Sequence, residues 1–186
     1  ADVIFGKVNP SGKLPTTFPV RIQDNPAYLN YPGENGRVLY GEGIFVGYRY
    51  YEKKDILPLF PFGFGLSYTN FEYSDLHVTR KEDHLEVLVK VTNTGTQDGA
   101  EVVQVYVNKP DSKVERQKKL LKGFEKVFIP AGQSTEVKIP VLIEDLCYYD
   151  VDKKGWVLEK GEYLILVGGN SDRNFLLSSK TSISLG

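Results

Sequence analysis

Leu85-Glu86-Val87-Leu88-Val89-Lys90-Val91-Thr92 sets Leu85, Val87, Val89 and Val91 on one side of the chain and Glu86, Lys90 and Thr92 on the other. Alternation with period two marks a strand with one buried face, because successive Cβ atoms point to opposite sides of the pleat. Asn93-Thr94-Gly95 ends the run with turn chemistry. The pattern recurs downstream. Val103, Val105 and Val107 share a face, with Gln104 and Tyr106 on the other. Val137, Ile139 and Val141 alternate with Glu136, Lys138 and Pro140 after a turn at Pro130-Ala131-Gly132. Tyr163-Leu164-Ile165-Leu166-Val167 is apolar on both faces, as a central strand is, and lies between Lys160-Gly161 and Gly168-Gly169-Asn170. Phe71 to Val78 and Phe175 to Ile183 supply the first and last strands. Roughly seven short strands with frequent turns and no long helix predict a mainly β chain built around a two-sheet sandwich.

Upstream of Phe62 the pattern changes. Residues 20–37, with Asn25-Pro26-Ala27-Tyr28 and Tyr31-Pro32-Gly33-Glu34-Asn35-Gly36, show no periodic apolar face and read as a long ordered connector. Gly41 to Tyr51 is rich in aromatic and branched residues and predicts an extended, tightly packed segment, its glycines admitting close backbone approach. At the other end, Ala1 to Phe5 reads as the last turn of an apolar helix stopped by Gly6. Asn9-Pro10-Ser11-Gly12 turns the chain, and Leu14 to Phe18 forms a short extended run. A helix end and a strand of this kind need partners. The expectation is therefore a fragment whose residues 1–19 close a domain lying upstream, with the parent's chemistry upstream too.

The bulk numbers narrow the function classes. At 186 residues and 41% hydrophobic content, the chain holds one ordinary domain plus connecting segments, and disorder is not expected. A net charge of −1 argues against a nucleic-acid partner. No apolar run approaches the roughly 20 residues that span a bilayer. The single cysteine, Cys147, leaves no internal disulfide and no cysteine-based zinc site, and its apolar neighbours predict a buried, inert thiol. Compartment stays open.

The residues that carry chemistry elsewhere do little here. His77 alternates with Asp75 and Thr79 on a wet strand face, and His84 comes after Lys81-Glu82-Asp83 in a turn; neither has a second ligand at metal spacing. Asp150-Val151-Asp152-Lys153-Lys154-Gly155 begins like a calcium loop, but Lys154 and Gly161 stand where oxygen ligands belong, so a β-turn is the reading. Neither a metal nor a cofactor is expected. Glycoside chemistry needs a carboxylate pair. The carboxylate that draws notice is Glu42, and it reads first as an ion pair with Arg49 that locks the connector. Lys109 to Lys122 reads as a solvated loop and strand edge. Trp156 reads as core or sheet-edge packing rather than a ligand platform. The rings of Tyr48, Tyr50, Tyr51, Phe60, Phe62, Phe64 and Tyr68 suit either sugar stacking or, more commonly, a buried interface.

Several long motifs resemble one known family. Ile4-Phe5-Gly6-x-x-Asn9-Pro10-Ser11-Gly12-Lys13-Leu14-Pro15-x-Thr17-Phe18-Pro19 resembles the closing motif of the second catalytic domain of glycoside hydrolase family 3. Tyr40-Gly41-Glu42-Gly43-Ile44-Phe45-Val46-Gly47-Tyr48-Arg49-Tyr50-Tyr51 is similar to that family's linker motif. Phe60-Pro61-Phe62-Gly63-Phe64-Gly65-Leu66-Ser67-Tyr68-Thr69-x-Phe71 is similar to the entry to its fibronectin type III-like domain. Asn93-Thr94-Gly95, Gly99-x-Glu101-Val102-x-Gln104-Val105-Tyr106 and Leu121-Lys122-Gly123-Phe124 continue the likeness in order. Gln23 to Asn30 and Glu42 to Lys53 resemble yeast-type β-glucosidases that carry an inserted PA14 domain.

The resemblance implies three parts: residues 1–19 as the end of the α/β sandwich domain, 20–61 as a linker strap, and 62–186 as an immunoglobulin/fibronectin III-like β-sandwich. It implies a parent that removes terminal β-linked glucose with retention, through a nucleophilic Asp and an acid/base Glu that both lie before Ala1. No catalytic residue carries over to this chain. The implied partners are the upstream catalytic domains, on the same or a nicked chain, and the β-glucoside those domains bind. The implied seam residues are Glu42, Arg49, Tyr50 and Tyr51, and Phe5, Phe45 and Tyr51 are expected to be exposed in the chain alone. Such patches favour association, as a homo-oligomer, an aggregate or a particle retaining an upstream polypeptide. Two other classes stay in view, a carbohydrate-binding module and an adhesion sandwich. Within the family, β-xylosidase-type exo-glycosidases share the architecture.

Overall fold

The computed structural model describes residues 1–184. The predicted alternation forms strands β1 (Phe71–Arg80), β2 (His84–Asn93), β3 (Gly99–Asn108), β4 (Leu120–Ile129), β5 (Ser134–Leu142), β8 (Gly161–Gly168) and β9 (Leu177–Ile183). They pair antiparallel in two sheets, ordered β1-β2-β5 and β4-β3-β8-β9. The sheets pack with one core between them, and β1 meets β9 while β4 meets β5 at the borders. Leu85, Val87, Val89 and Val91 from one sheet face Val103, Val105, Ile165 and Val167 from the other, all fully buried. The mainly β sandwich is the architecture the alternation predicted. Among the described residues no helix is long and apolar enough to cross a membrane.

Three features depart from the sequence reading. Leu120–Ile129 is a full strand, and Lys109 and Lys119 beside it are buried rather than solvated. Their mixed-sign neighbourhood hid this, because each ammonium is spent on a local partner: Lys119 on Glu52, Lys109 on the ring face of Tyr163. Residues 148–157 form a separate ribbon, β6 (Tyr148–Asp150) with β7 (Gly155–Val157), whose turn is tied by Asp150 accepting from the Asp152 and Lys153 amides. Trp156 on that ribbon is 73% exposed and meets Tyr149 edge-on, which excludes the core half of its core-or-sheet-edge reading. Cys147 is half-buried rather than buried, and burial still pushes its thiol up, as suits an inert group.

The third departure is helical. The expectation of an extended Gly41 to Tyr51 fails at its end, where α1 (Tyr48–Lys54) forms. β-branched and aromatic composition argues for a strand; the spacing of Tyr48, Tyr51 and Glu52, which puts all three on one side of a helix, prevails. Gly47 at the N-cap has φ +61 and Gly43 has φ +57, both with open space where a Cβ would be, so they serve left-handed backbone rather than close approach. A helix of seven residues is marginal on its own and depends on what it packs against.

β3 is unlike an ordinary sandwich strand. Val103, Val105 and Val107 face the core, yet Gln104 and Tyr106 on the outward face are buried as well. The cover comes from residues 1–68. Ile165, on the neighbouring central strand, tests the core itself. Ile165→Ala should cost about 2–5 kcal/mol in denaturant unfolding, since the cavity lies where both sheets are fixed.

Candidate interdomain site

Residues 1–68 meet the sandwich at three points. At the first, Asn9 Nδ2 donates to the Asp98 carbonyl (3.0 Å), and Asn9 Oδ1 accepts from Ser67 Oγ (3.0 Å) and the Tyr68 amide (2.9 Å). Gly12 comes next, its carbonyl so close to Gly65 that a Cβ there would lie at 2.5 Å. Lys13 then enters the end of the sandwich, where its Nζ reaches Glu101 Oε1 at 2.8 Å and Oε2 at 3.2 Å. Tyr73 Oη donates to the same carboxylate at 3.0 Å. Burial, then the Glu101 charge, push the Tyr73 hydroxyl far up, so it stays a neutral donor. Glu101 shares the inward parity of Val103 and Val105 on β3, and its side chain is 8% exposed. A charge there needs Lys13.

At the second point, residues 14–18 pair with 59–64. Leu14 donates to the Phe64 carbonyl, Gly63 to that of Leu14, and Phe18 to that of Phe60, all at 2.8–2.9 Å. The Ser171 amide ties this ribbon to the sandwich through the Phe62 carbonyl (2.8 Å). Gly63, at φ +81, rests on Gln104: an added Cβ would lie 2.5 Å from Oε1. Gln104 is thereby fixed, with Nε2 donating to Gly169 O (2.7 Å) and Oε1 accepting from Tyr106 Oη (2.5 Å).

The third point is α1. Tyr48 stacks on Phe62 at 5.0 Å, meets Tyr106 edge-on at 5.8 Å, and accepts from the Leu121 amide at 2.9 Å. Glu52 pairs with buried Lys119 at 2.8 Å. Around the rim, Lys53 pairs with Glu115, Asp55 with Lys118 and Arg173, and Gln117 donates to Ile44 O. Exposed pairs of this kind contribute little. Tyr48, Tyr51 and the Glu52–Lys119 pair hold the helix.

The predicted seam residues are not one cluster. Tyr51 is 4% exposed and buried within the chain, against the expectation that it would be uncovered. Phe45 is half-buried, while Phe5 is exposed as expected. Tyr50 is half-buried and meets Tyr51 edge-on at 5.6 Å. Arg49 does not pair with Glu42; its Nη1 donates to Ile44 O at 3.5 Å, its guanidinium lies over Tyr48, and its buried Nε has no acceptor among the described residues. The turn at Gly47 and the start of α1 carry Arg49 away from Glu42. Sequence reasoning missed Lys13, Glu101, Glu52, Lys119 and Glu159. Glu101 carried a usable signal, a carboxylate at a core-facing strand position; Glu52 and Lys119 carried none until α1 was known.

Each buried carboxylate is neutralised locally. Asp24 accepts from Arg21 at 2.6 Å, which holds its carboxyl below the ordinary value. Burial opposes ionisation of Glu159, but Ser112 Oγ (2.6 Å), the Lys113 amide (2.8 Å) and Arg116 outweigh it and hold the group low. A general acid needs the reverse shift. The pocket beneath α1 has a volume of about 80 Å³, below the roughly 300–1,000 Å³ of ligand sites, whereas open clefts lined by Lys13 with Glu101 and by Arg116 with Trp156 reach about 620 and 530 Å³. Among the described residues no three His, Cys, Asp or Glu side chains converge as metal ligands. This arrangement can fasten elements together; it offers no paired acid and base.

Large apolar side chains are among those left uncovered. Ile4 (80%), Leu29 (91%), Leu39 (71%) and Tyr40 (89%) all point to solvent from residues 1–68. Apolar exposure on this scale marks a contact surface.

Two outcomes test the site. Lys13→Ala should cost about 3–5 kcal/mol by stranding Glu101, whereas Lys13→Met with Glu101→Leu should recover most of it. Glu159, being depressed in the folded state, adds stability above its unfolded pKa that is lost as pH falls through the folded one. Glu159→Gln should therefore flatten the acid limb of a melting-temperature profile below about pH 4 and lower the plateau above it.

Two family models match the chain: the glycosyl hydrolase family 3 C-terminal domain over residues 1–48 and the fibronectin type III-like domain over 101–171. Thermostable beta-glucosidase B of Acetivibrio thermocellus is 51% identical over 99% of this chain, and a probable beta-glucosidase I of Aspergillus oryzae is 51% identical over 92%. A GH3 beta-glucosidase of Bifidobacterium adolescentis superposes with TM-score 0.92 at 44% identity over 98% of the chain. A Kluyveromyces marxianus beta-glucosidase in complex with glucose gives TM-score 0.92 at 46% over 99%. The yeast and bacterial structures superpose with the same TM-score, so the superposition singles out no yeast-type subgroup. The chain spans 25% and 22% of the two curated relatives and 27% and 22% of the two solved chains.

Proposed function

The chain belongs to glycoside hydrolase family 3, as the C-terminal part of its β-glucosidases, and we propose from this that it braces the catalytic domains of a retaining β-glucosidase. The parent removes terminal β-D-glucosyl residues through two carboxylates supplied upstream. The β-glucosidase names of the relatives favour a glucoside over a xyloside.

The observation that carries the reading is that residues 1–68 are locked to the sandwich through Lys13, the 14–18/59–64 ribbon and α1, yet leave Ile4, Leu29, Leu39 and Tyr40 open to solvent. A retaining glycosidase needs its carboxyl groups about 5–5.5 Å apart. Holding groups from separate domains at that separation requires an ordered seam, since small misplacements cost large factors in rate. Arg49 and Tyr50, both half-buried in α1, are the expected seam residues that this reading leaves for contact with those domains. The proposed division is 1–19, 20–61 and 62–186, the last segment acting as buttress to the strap.

A second reading, a carbohydrate-binding surface, is favoured by one observation. Trp156 and Tyr149 stand exposed on a ribbon outside both sheets. Titration of the chain with soluble β-glucan, followed by isothermal calorimetry, separates the two. Saturable binding abolished by Trp156→Ala supports a binding module.

For the bracing role, Leu39→Ser with Tyr40→Ser in the intact enzyme should lower the melting temperature by several degrees and reduce kcat, with the pH profile unmoved. Each side chain removes about 1.5–3 kcal/mol of burial from a seam. Unchanged melting and kcat would refute it.

A further inference from the structure

The outward faces of the two sheets differ in kind. In the three-stranded sheet they are mainly polar: Glu86, Lys90 and Thr92 on β2, and Ser134, Glu136 and Lys138 on β5. β9 presents Ser178, Lys180 and Ser182. The β4–β3 quadrant is different. Its pairs are Phe124 opposite Gln104, Lys126 opposite Val102, and Phe128 opposite Ala100. Gln104 lies on the outward side of β3, and paired residues share a face, so both Phe rings point away from the core. Each is 65% exposed. A water-facing antiparallel sheet alternates apolar-in and polar-out. Two rings on the wet side of one strand break that rule without serving the core.

The quadrant is continuous with the contacts of residues 1–68. Gln104, opposite Phe124, is the side chain on which Gly63 rests. Ala100, opposite Phe128, is two residues from Asp98, whose carbonyl accepts from Asn9. The patch thus begins where the strap's cover of β3 stops. Ile4 and Phe5, which precede Asn9 in the chain, are uncovered as well.

We infer that Phe124, Val102 and Phe128 form a second docking surface, for the polypeptide that precedes residue 1 in the intact enzyme. This rests on the bracing role proposed above. The occupant is an apolar surface with one hydrogen-bond acceptor, because Lys126 lies between the rings and its ammonium has to be satisfied when they are covered. Upstream domains would then grip the sandwich directly as well as through the strap.

Hydroxyl-radical footprinting of the intact enzyme, with each residue's rate normalised to the denatured protein, tests this. Phe124 and Phe128 should lose labelling down to the level of fully buried Tyr106, and Tyr40 should lose it too. Labelling of both Phe rings with Tyr40 protected overturns the docking surface and leaves the bracing role standing. Labelling of all three overturns both. Protection that grows with protein concentration assigns the patch to a second copy and also overturns the inference. Phe124→Ser with Phe128→Ser provides a second readout. It should lower the melting temperature of the intact enzyme, whereas equally exposed Trp156→Ser should not; an equal fall in both, or none in either, counts against the patch.

Discussion

β3 is buried on both sides, and that one constraint organises the molecule. Its inward Val residues are covered by the facing sheet, as in any sandwich. Its outward Tyr106 and Gln104 are covered by Phe62, Gly63 and Tyr48, none of which belongs to the sheets. The strap is therefore part of the packing, and a sandwich cut at its first strand would open a polar-apolar face that no sheet residue closes. Lys13 makes the same demand from inside, since Glu101 occupies a core-facing position and its charge is matched from residue 13. Ion pairs of this sort add little over an apolar pair but punish any misplacement severely. They act as registry pins.

This placement shows how the chain outside the sheets is fastened to them at both ends of the connector. Each anchor is short: one asparagine at residue 9, one lysine at 13, a five-residue ribbon, a seven-residue helix. None would persist alone, and all lie along one face and end of the same sheet. The exposed apolar side chains of Ile4, Leu29, Leu39 and Tyr40 lie before and between these anchors. In the bracing role proposed above, they would meet domains whose reacting carboxylates must be held at a fixed separation.

Much of the fold was legible because a strand writes its burial into alternate letters. Leu85 to Val91, Val103 to Val107 and Val137 to Val141 all face the core as their parity indicates. α1 was not legible, because Tyr48, Tyr50 and Tyr51 favour strands by composition while tertiary contact with Tyr106 and Lys119 selects the helix. The Glu42–Arg49 pair failed for the same reason, since a turn and a helix intervene. The core reading of Trp156 failed because a short ribbon looks locally like a sheet strand while lacking any facing layer. The site was half legible: residues 13 and 101 each stood in a quoted motif, and only the core-facing parity of Glu101 hinted that it needed a partner.

Native-state hydrogen exchange reads the dependence of strap and sandwich most directly. The amides of Leu14, Gly63 and Ser171, which join them, should open with the same free energy as those of Val105 and Ile165, and lose that protection together in Lys13→Ala. Exchange of the first three through low-energy local opening, with β3 and β8 still protected, would show two independent units and contradict the account.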